Sequence, residues 1–307
     1  MNQPDRPTAH PRLDLLDPYE VARLGGLEVL TEDLVEGFLA GLHRSPRQGF
    51  SVEFAQHRMY QPGDDLRYVD WKLWGRKDRL YVKQFEEETN LRAMLVCDIS
   101  RSMAWTGAPG EVLTKLDYVR RLLAALSLIL VRQRDATGLL AFDDEVRAVV
   151  PPRARRTHWY QLLQVIAALE PGSGTAAEPA LRRVVDQLRR RGLVVFVSDL
   201  LLDRALTLKA LRFLRHRGHQ VVVLHVMDPA EVTLAGTTEV RLEDPETRAG
   251  VVLRPRDWAA EYQRTVAQVV SDWSLSCNRH GIRYHRVTTD TPFGMVLREV
   301  IAPPRAA

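Results

Sequence analysis

Apolar residues fall into two recurring textures along this chain, short continuous runs and longer stretches with helical spacing. From Asp17 to about Leu42 the spacing is helical, through Val21, Leu24, Leu27 and Leu30 and then Leu34, Val35, Phe38 and Leu39, with a break at Gly25-Gly26. Thr31, ahead of Asp33 and Leu34, marks the capped start of the second helix. From Ser45 to about Thr89 the texture changes: Phe50, Val52 and Phe54 alternate with Ser51 and Glu53, and Leu80, Val82 and Phe85 predict another extended segment. Gln61-Pro62-Gly63-Asp64-Asp65 between them is a turn by composition. We read 1–44 as an N-terminal helical segment whose first residues, polar and Pro-rich, are expected to be disordered, and 45–90 as a small β-rich element beside the main domain.

Residues 91–307 form that domain and alternate strand with helix. Leu91 to Cys97 is an apolar run of strand length, and Leu113 to about Asp135 carries Leu116, Val119, Leu122, Leu123, Leu126, Ile129 and Leu130 at helical spacing. Gly138 to Phe142 is the next strand, pairing with Ala148 to Val150 across the Asp143-Asp144 turn. Helices follow at about 157–169 and 177–191, then the strand Leu193 to Val197, a helix at about 204–217 and the strand Val221 to Val226. A hairpin near 239–253, a long helix at about 256–280, a strand from Ile282 to Val287 and a closing helix near 293–301 complete the pattern. Strands apolar on both faces and separated by helices predict an α/β fold, a mostly parallel, doubly wound, Rossmann-like sheet covered by helices. Ligands of such sheets bind in the loops at the carboxyl ends of the strands.

Composition narrows the function classes. The 307 residues are 45% hydrophobic and 27% charged, ordinary globular proportions. The net charge of +4 comes largely from arginine runs such as 181–191, where no aromatic residue interleaves and no nucleic-acid motif accompanies the basic residues. We read that run as a solvated helix face and expect no specific nucleic-acid binding. Two scattered cysteines, Cys97 and Cys277, make neither a disulfide framework nor a zinc site and fit a reducing compartment. The first residues lack the apolar core of a secretory signal, and the longest apolar candidate, around Leu122 to Val131, is too short to span a bilayer. A cytoplasmic protein without an integral membrane segment is therefore expected. Nothing in these patterns fixes an oligomeric state.

The chemistry gathers at the strand ends. The first apolar strand runs into Asp98-Ile99-Ser100-Arg101-Ser102, the strand at 193–197 runs into Ser198-Asp199, and Gly172-Ser173-Gly174-Thr175 opens the helix at about 177. All three segments are expected on one rim, where Asp98, Asp199, Ser100, Ser102 and Thr175 make an all-oxygen set. Hard divalent cations prefer such donors, and Mg2+ takes few protein carboxylates and keeps several waters. The i, i+2, i+4 spacing suits a turn that aims short oxygens at one point, and a helix N-terminus after it is expected to add its positive dipole end. His225, inside an apolar strand, reads as a core histidine; there is no HExxH zinc motif, phosphate-binding loop, dinucleotide fingerprint or Gly-x-Ser-x-Gly nucleophile turn.

Asp98-x-Ser100-x-Ser102, then Thr175, then Asp199, resembles the metal-ion-dependent adhesion site of von Willebrand factor A domains. The resemblance implies that these five residues surround Mg2+ or Mn2+, directly or through water. Gly172-Ser173-Gly174-Thr175 stands where a tighter Gly-Gly-Thr is usual. Upstream, Gly49 to Phe54, Arg58-Met59-Tyr60, Pro62-Gly63-Asp64-Asp65 and Arg67-Tyr68-Val69-Asp70-Trp71 resemble the signature of the bacterial DUF58 family. Members of that family are often encoded beside MoxR-type AAA+ ATPases, and many carry an N-terminal membrane hairpin that is not seen here. Asp64 and Asp65 read as backbone-capping residues of a turn, with Arg58, Arg67, Arg76 and Lys83 as local ion-pair partners, and Trp71 and Trp74 read as core by default, with interface anchors as the alternative.

The expected function is a metal-dependent protein-binding module rather than an enzyme, engaging a carboxylate of a MoxR-type ATPase or of its client. The alternative is a metal-dependent phosphatase or phosphotransferase with Asp98 as nucleophile. That chemistry wants a second acid two residues later, where this chain has Ser100.

Overall fold

The computed structural model describes residues 52–60, 69–77, 79–87, 91–107, 113–172, 178–188, 190–234, 240–243 and 250–301. The predicted helices over 17–42, the turn residues Pro62, Gly63, Asp64 and Asp65, Arg67 and Thr175 lie outside them. Strand β1 (Val52–Met59) pairs antiparallel with β2 (Tyr81–Glu87), with a register shift between Phe54 and Gln56. Helix α1 (Trp71–Lys77) lies between them in sequence, and Asp70 caps it by accepting the Leu73 amide at 3.0 Å. Trp71 and Trp74 are a correction: they meet edge-on at 6.1 Å and are 57% and 45% exposed, so they are surface residues.

The main sheet begins with β3 (Arg92–Asp98). A four-residue 3-10 turn (Arg101–Ala104) follows, and then α2 (Lys115–Arg132). Thr114 fixes the start of α2, its hydroxyl oxygen accepting from the Asp117 amide at 3.0 Å. Next come β4 (Ala136–Phe142), β5 (Val146–Arg153), α3 (Arg156–Ala167), α4 (Glu178–Gln187), β6 (Leu193–Ser198) and α5 (Arg204–His216). The chain ends with β7 (Gln220–Met227), α6 (Pro229–Thr233), the hairpin β8 (Val240–Glu243) and β9 (Gly250–Leu253), α7 (Pro255–Arg279), β10 (Arg283–Thr288) and α8 (Phe293–Ile301).

Six strands form one sheet in the order β10-β7-β6-β3-β4-β5, parallel except for the edge strand β5. Counted along the chain this is the doubly wound 3-2-1-4-5-6 order, whose direction of winding reverses between β3 and β6. Alternate strand residues enter two separate cores. Leu95, Cys97, Val195, Val197, Val222 and Leu224 pack under α2, α3 and α8, whereas Val96, Val194, Phe196, Val221 and Val223 pack under α4, α5 and α7. Burial on both faces is why these strands read as continuous apolar runs, each large side chain contributing about 1.5–3 kcal/mol. Arg182 and Arg183 of the arginine-rich run are exposed beside buried Leu181 and Val184, as a solvated helix face requires. Among the described residues no helix is long and apolar enough to cross a membrane.

Candidate functional site

Four parallel strands of the sheet end in a buried aspartate: Asp98 after β3, Asp143 after β4, Asp199 after β6 and Asp228 after β7. Their partners differ. Asp143 Oδ1 accepts from Arg147 Nε at 2.7 Å and from the Glu145 amide at 2.9 Å. Asp228 accepts the amides of Ala230 at 2.8 Å and Gly107 at 3.2 Å. Asp199 Oδ2 receives the Lys115 ammonium at 2.8 Å and its Oδ1 the Leu201 amide at 3.2 Å.

Asp98 sits deepest, with no exposure, at the switch point itself. Oδ1 accepts from the Ser100 amide at 2.8 Å and Oδ2 from the Ser198 hydroxyl at 2.6 Å. No cationic side chain is bonded to it among the described residues. Burial, and then the neighbouring Asp199 carboxylate, push its carboxyl up to about 7. The Ser198 hydroxyl is held in turn by the Leu200 amide at 2.9 Å. Leu200 adopts the left-handed region (φ 56) while buried, a conformation that non-glycine residues take only when their surroundings impose it.

The hydroxyls of Ser100 and Ser102 are buried and stand 3.1 Å apart. They are hydrogen-bonded to each other. Gly172 anchors the third predicted segment here, its amide donating to the Ile99 carbonyl at 2.6 Å. A Cβ on Gly172 would fall on the Asp143 carboxylate, whose Oδ2 has no hydrogen-bond partner among the described residues. The structure thus brings Asp98, Ser100, Ser102 and Asp199 to one rim; Thr175 lies outside the described residues. The donors fit a hard cation by chemistry, although no group of three or more His, Cys, Asp or Glu side chains suited to a metal occurs among the described residues. Of the signature residues, Arg58 lies on β1 opposite Val82, Tyr60 is half-buried, its amide donating to the Leu80 carbonyl, and Asp70 and Trp71 open α1.

The helix predicted after the Asp98–Ser102 loop is α2, which begins at Lys115 beyond the 3-10 turn. Its first turn brings the Lys115 ammonium to the rim. It is fully buried between Asp199 and Glu231, at 2.8 and 2.6 Å. Burial opposes its charge, but the two carboxylates more than offset this and hold its pKa above the ordinary lysine value. Glu231 belongs to the capping box of α6, its other oxygen accepting the Asp228 amide at 2.8 Å. Sequence reading missed Lys115, Glu231 and the role of Ser198. One signal existed: a lysine at the first position of a helix faces the positive end of the dipole, an unfavourable place for a solvent-exposed cation. His225 is buried, its Nδ1 2.6 Å from the Tyr284 hydroxyl, and burial lowers its pKa to about 4, the behaviour of a core histidine.

The family described as "Protein of unknown function DUF58" matches residues 56–270. Uncharacterized proteins of Mycobacterium bovis and Mycobacterium tuberculosis are 32% identical over 245 residues, covering 78% of this chain and 75% of theirs. Among solved structures, an aerotolerance-related membrane protein from Bacteroides fragilis shares 16% identity at a TM-score of 0.46, over 68% of this chain and 96% of that one. BatB from Bacteroides thetaiotaomicron gives 16% and 0.42 over 68% and 97%, and the SpRpn10 VWA domain gives 9% and 0.41 over 71% and 99%.

Proposed function

The chain belongs to the DUF58 family of proteins of unknown function, with a von Willebrand factor A-like sheet, and from its rim we propose that it is a metal-dependent protein-binding module. The observation that carries this reading is the buried, uncompensated Asp98 carboxylate beside Asp199, with the Ser100 and Ser102 hydroxyls 3.1 Å apart at the switch point. Asp98, Ser100, Ser102 and Asp199 would hold Mg2+ or Mn2+, with Thr175 as the fifth ligand that the adhesion-site pattern supplies. When bound, such an ion offers an open position to a carboxylate of a partner protein. Ser198 and the Ser100 amide fix the Asp98 carboxylate in place before any ligand arrives. Leu201, 64% exposed two residues beyond Asp199, and the exposed Arg101 border the rim and give a partner apolar and cationic contact.

The partner we propose is a MoxR-type AAA+ ATPase or its client, met in the cytoplasm; the resemblance of the Arg58–Trp71 segment supports this assignment. Binding rather than turnover is favoured because Ser100 occupies the place where phosphoryl chemistry on Asp98 would need a general acid. Hydrolysis of a generic phosphate ester that disappears in Asp98→Asn would reverse that preference.

Capture of a purified MoxR-type ATPase on the immobilised full chain tests the reading. Retention in Mg2+ is expected to drop at least about tenfold in chelator and to the same level in Asp98→Ala. Equal retention in chelator would overturn metal dependence.

A further inference from the structure

The rim already contains a cation of its own. Lys115 has no exposed surface, yet its ammonium lies 2.8 Å from Asp199 Oδ2 and 2.6 Å from Glu231 Oε1. It is drawn from the first turn of α2, while Asp199 follows β6 and Glu231 sits on α6, so three elements converge on one charge. His225 of β7 and Tyr262 of α7 also lie within electrostatic reach of it. A buried lysine with two carboxylates is costly to assemble and costly to break, since either partner alone would be left as an uncompensated buried charge. Asp98, by contrast, takes only an amide and a hydroxyl.

We propose that Lys115 is a resident counter-ion of the rim, holding Asp199 in the metal-free protein and competing for that carboxylate with an incoming divalent ion. This rests on the metal-dependent reading of the same site. With Asp98 ionised, Asp98, Asp199 and Glu231 bring three negative charges and Lys115 one positive, a balance of −2 that one divalent ion would neutralise. The ammonium keeps Asp199 in position so that the site does not collapse or scatter without metal, and it lowers affinity so that binding stays reversible. Through Glu231 and the Asp228 cap, which also receives the Gly107 amide, the same contact ties the site to α6 and to Gly107.

Manganese calorimetry on the chelator-stripped full chain, comparing wild type, Lys115→Met and Glu231→Gln, tests this. At the effective permittivity of about 20 that suits such sites, losing one positive charge raises divalent affinity by about tenfold or more. Lys115→Met is therefore expected to bind Mn2+ at least about tenfold tighter, with a lower melting temperature in chelator that the ion restores. Glu231→Gln leaves the ammonium to Asp199 alone, so Mn2+ binding is expected to weaken several-fold; this variant carries the test if Lys115→Met does not fold. Wild-type binding with unchanged or weaker affinity in folded Lys115→Met, or unchanged or tighter affinity in Glu231→Gln, would overturn the inference and leave the metal reading standing. No uptake by wild type but saturable uptake by Lys115→Met would support the inference and sink the metal-dependent function. No uptake by any of the three would overturn both.

Discussion

Asp98→Asn is expected to stabilise the metal-free protein at about pH 8 while abolishing its response to divalent ions. Burial and the Asp199 charge raise the Asp98 carboxyl to about 7 in the native protein, from an ordinary value of 3.8. The native state therefore binds the proton more tightly than the unfolded chain does, and stability falls as pH rises between the two values. The contribution is present in full below about pH 4, declines towards pH 7 and is absent above it. At about 1.4 kcal/mol per unit the span is roughly 4 kcal/mol, an upper figure because relaxation and water entry reduce it. Asparagine keeps the acceptor for the Ser100 amide, and its amide can donate to Ser198 Oγ, which retains a free lone pair beside the Leu200 amide. Denaturant unfolding in chelator at several values between pH 4.5 and 8 checks this. Wild type should lose stability across that window and the variant should lose markedly less; parallel curves would show that Asp98 is not the strained carboxylate.

Gly172→Ala is expected to destabilise the protein by about 1–3 kcal/mol, the usual cost of overpacking a filled site. The added Cβ would land on the Asp143 carboxylate, which cannot easily retreat because Arg147 and the Glu145 amide hold its other oxygen at 2.7 and 2.9 Å. The Gly172 amide is itself bonded to the Ile99 carbonyl, so relief by backbone movement would disturb the Asp98–Ser102 loop. Metal affinity is thus expected to fall along with stability. In an Asp143→Ala background the same substitution should cost much less, and this coupling distinguishes the named clash from a general intolerance of the position. Equal costs in both backgrounds, read from thermal or denaturant unfolding, would remove the clash as the cause.

The parts of the fold legible in the sequence are those governed by local periodicity. Leu91–Cys97, Leu193–Val197 and Val221–Val226 announced themselves because both faces of each strand are covered, and the seven apolar positions of α2 because the helix lies flat on the sheet. Asp98 and Asp199 followed from one further rule, that a doubly wound sheet gathers its chemistry at the strand ends. The pairing of Lys115 was not legible, since Asp199 is 84 and Glu231 116 residues away and only the strand order brings them together. Trp71 and Trp74 misled for a related reason: an aromatic residue signals burial only when something covers it, and among the described residues nothing does so fully. The 3-10 turn at Arg101–Ala104 was not legible, since four residues are too few to show a helical period.

The proposed function stands on a divalent ion held by Asp98, Ser100, Ser102 and Asp199. Calorimetry of chelator-stripped wild type with Mn2+ and Mg2+, beside Asp98→Ala and Asp199→Ala, tests for that ion. Saturable binding of about one ion per chain, lost in both variants, is expected. Binding that persists at wild-type affinity in Asp98→Ala, or no binding by folded wild type, would contradict it.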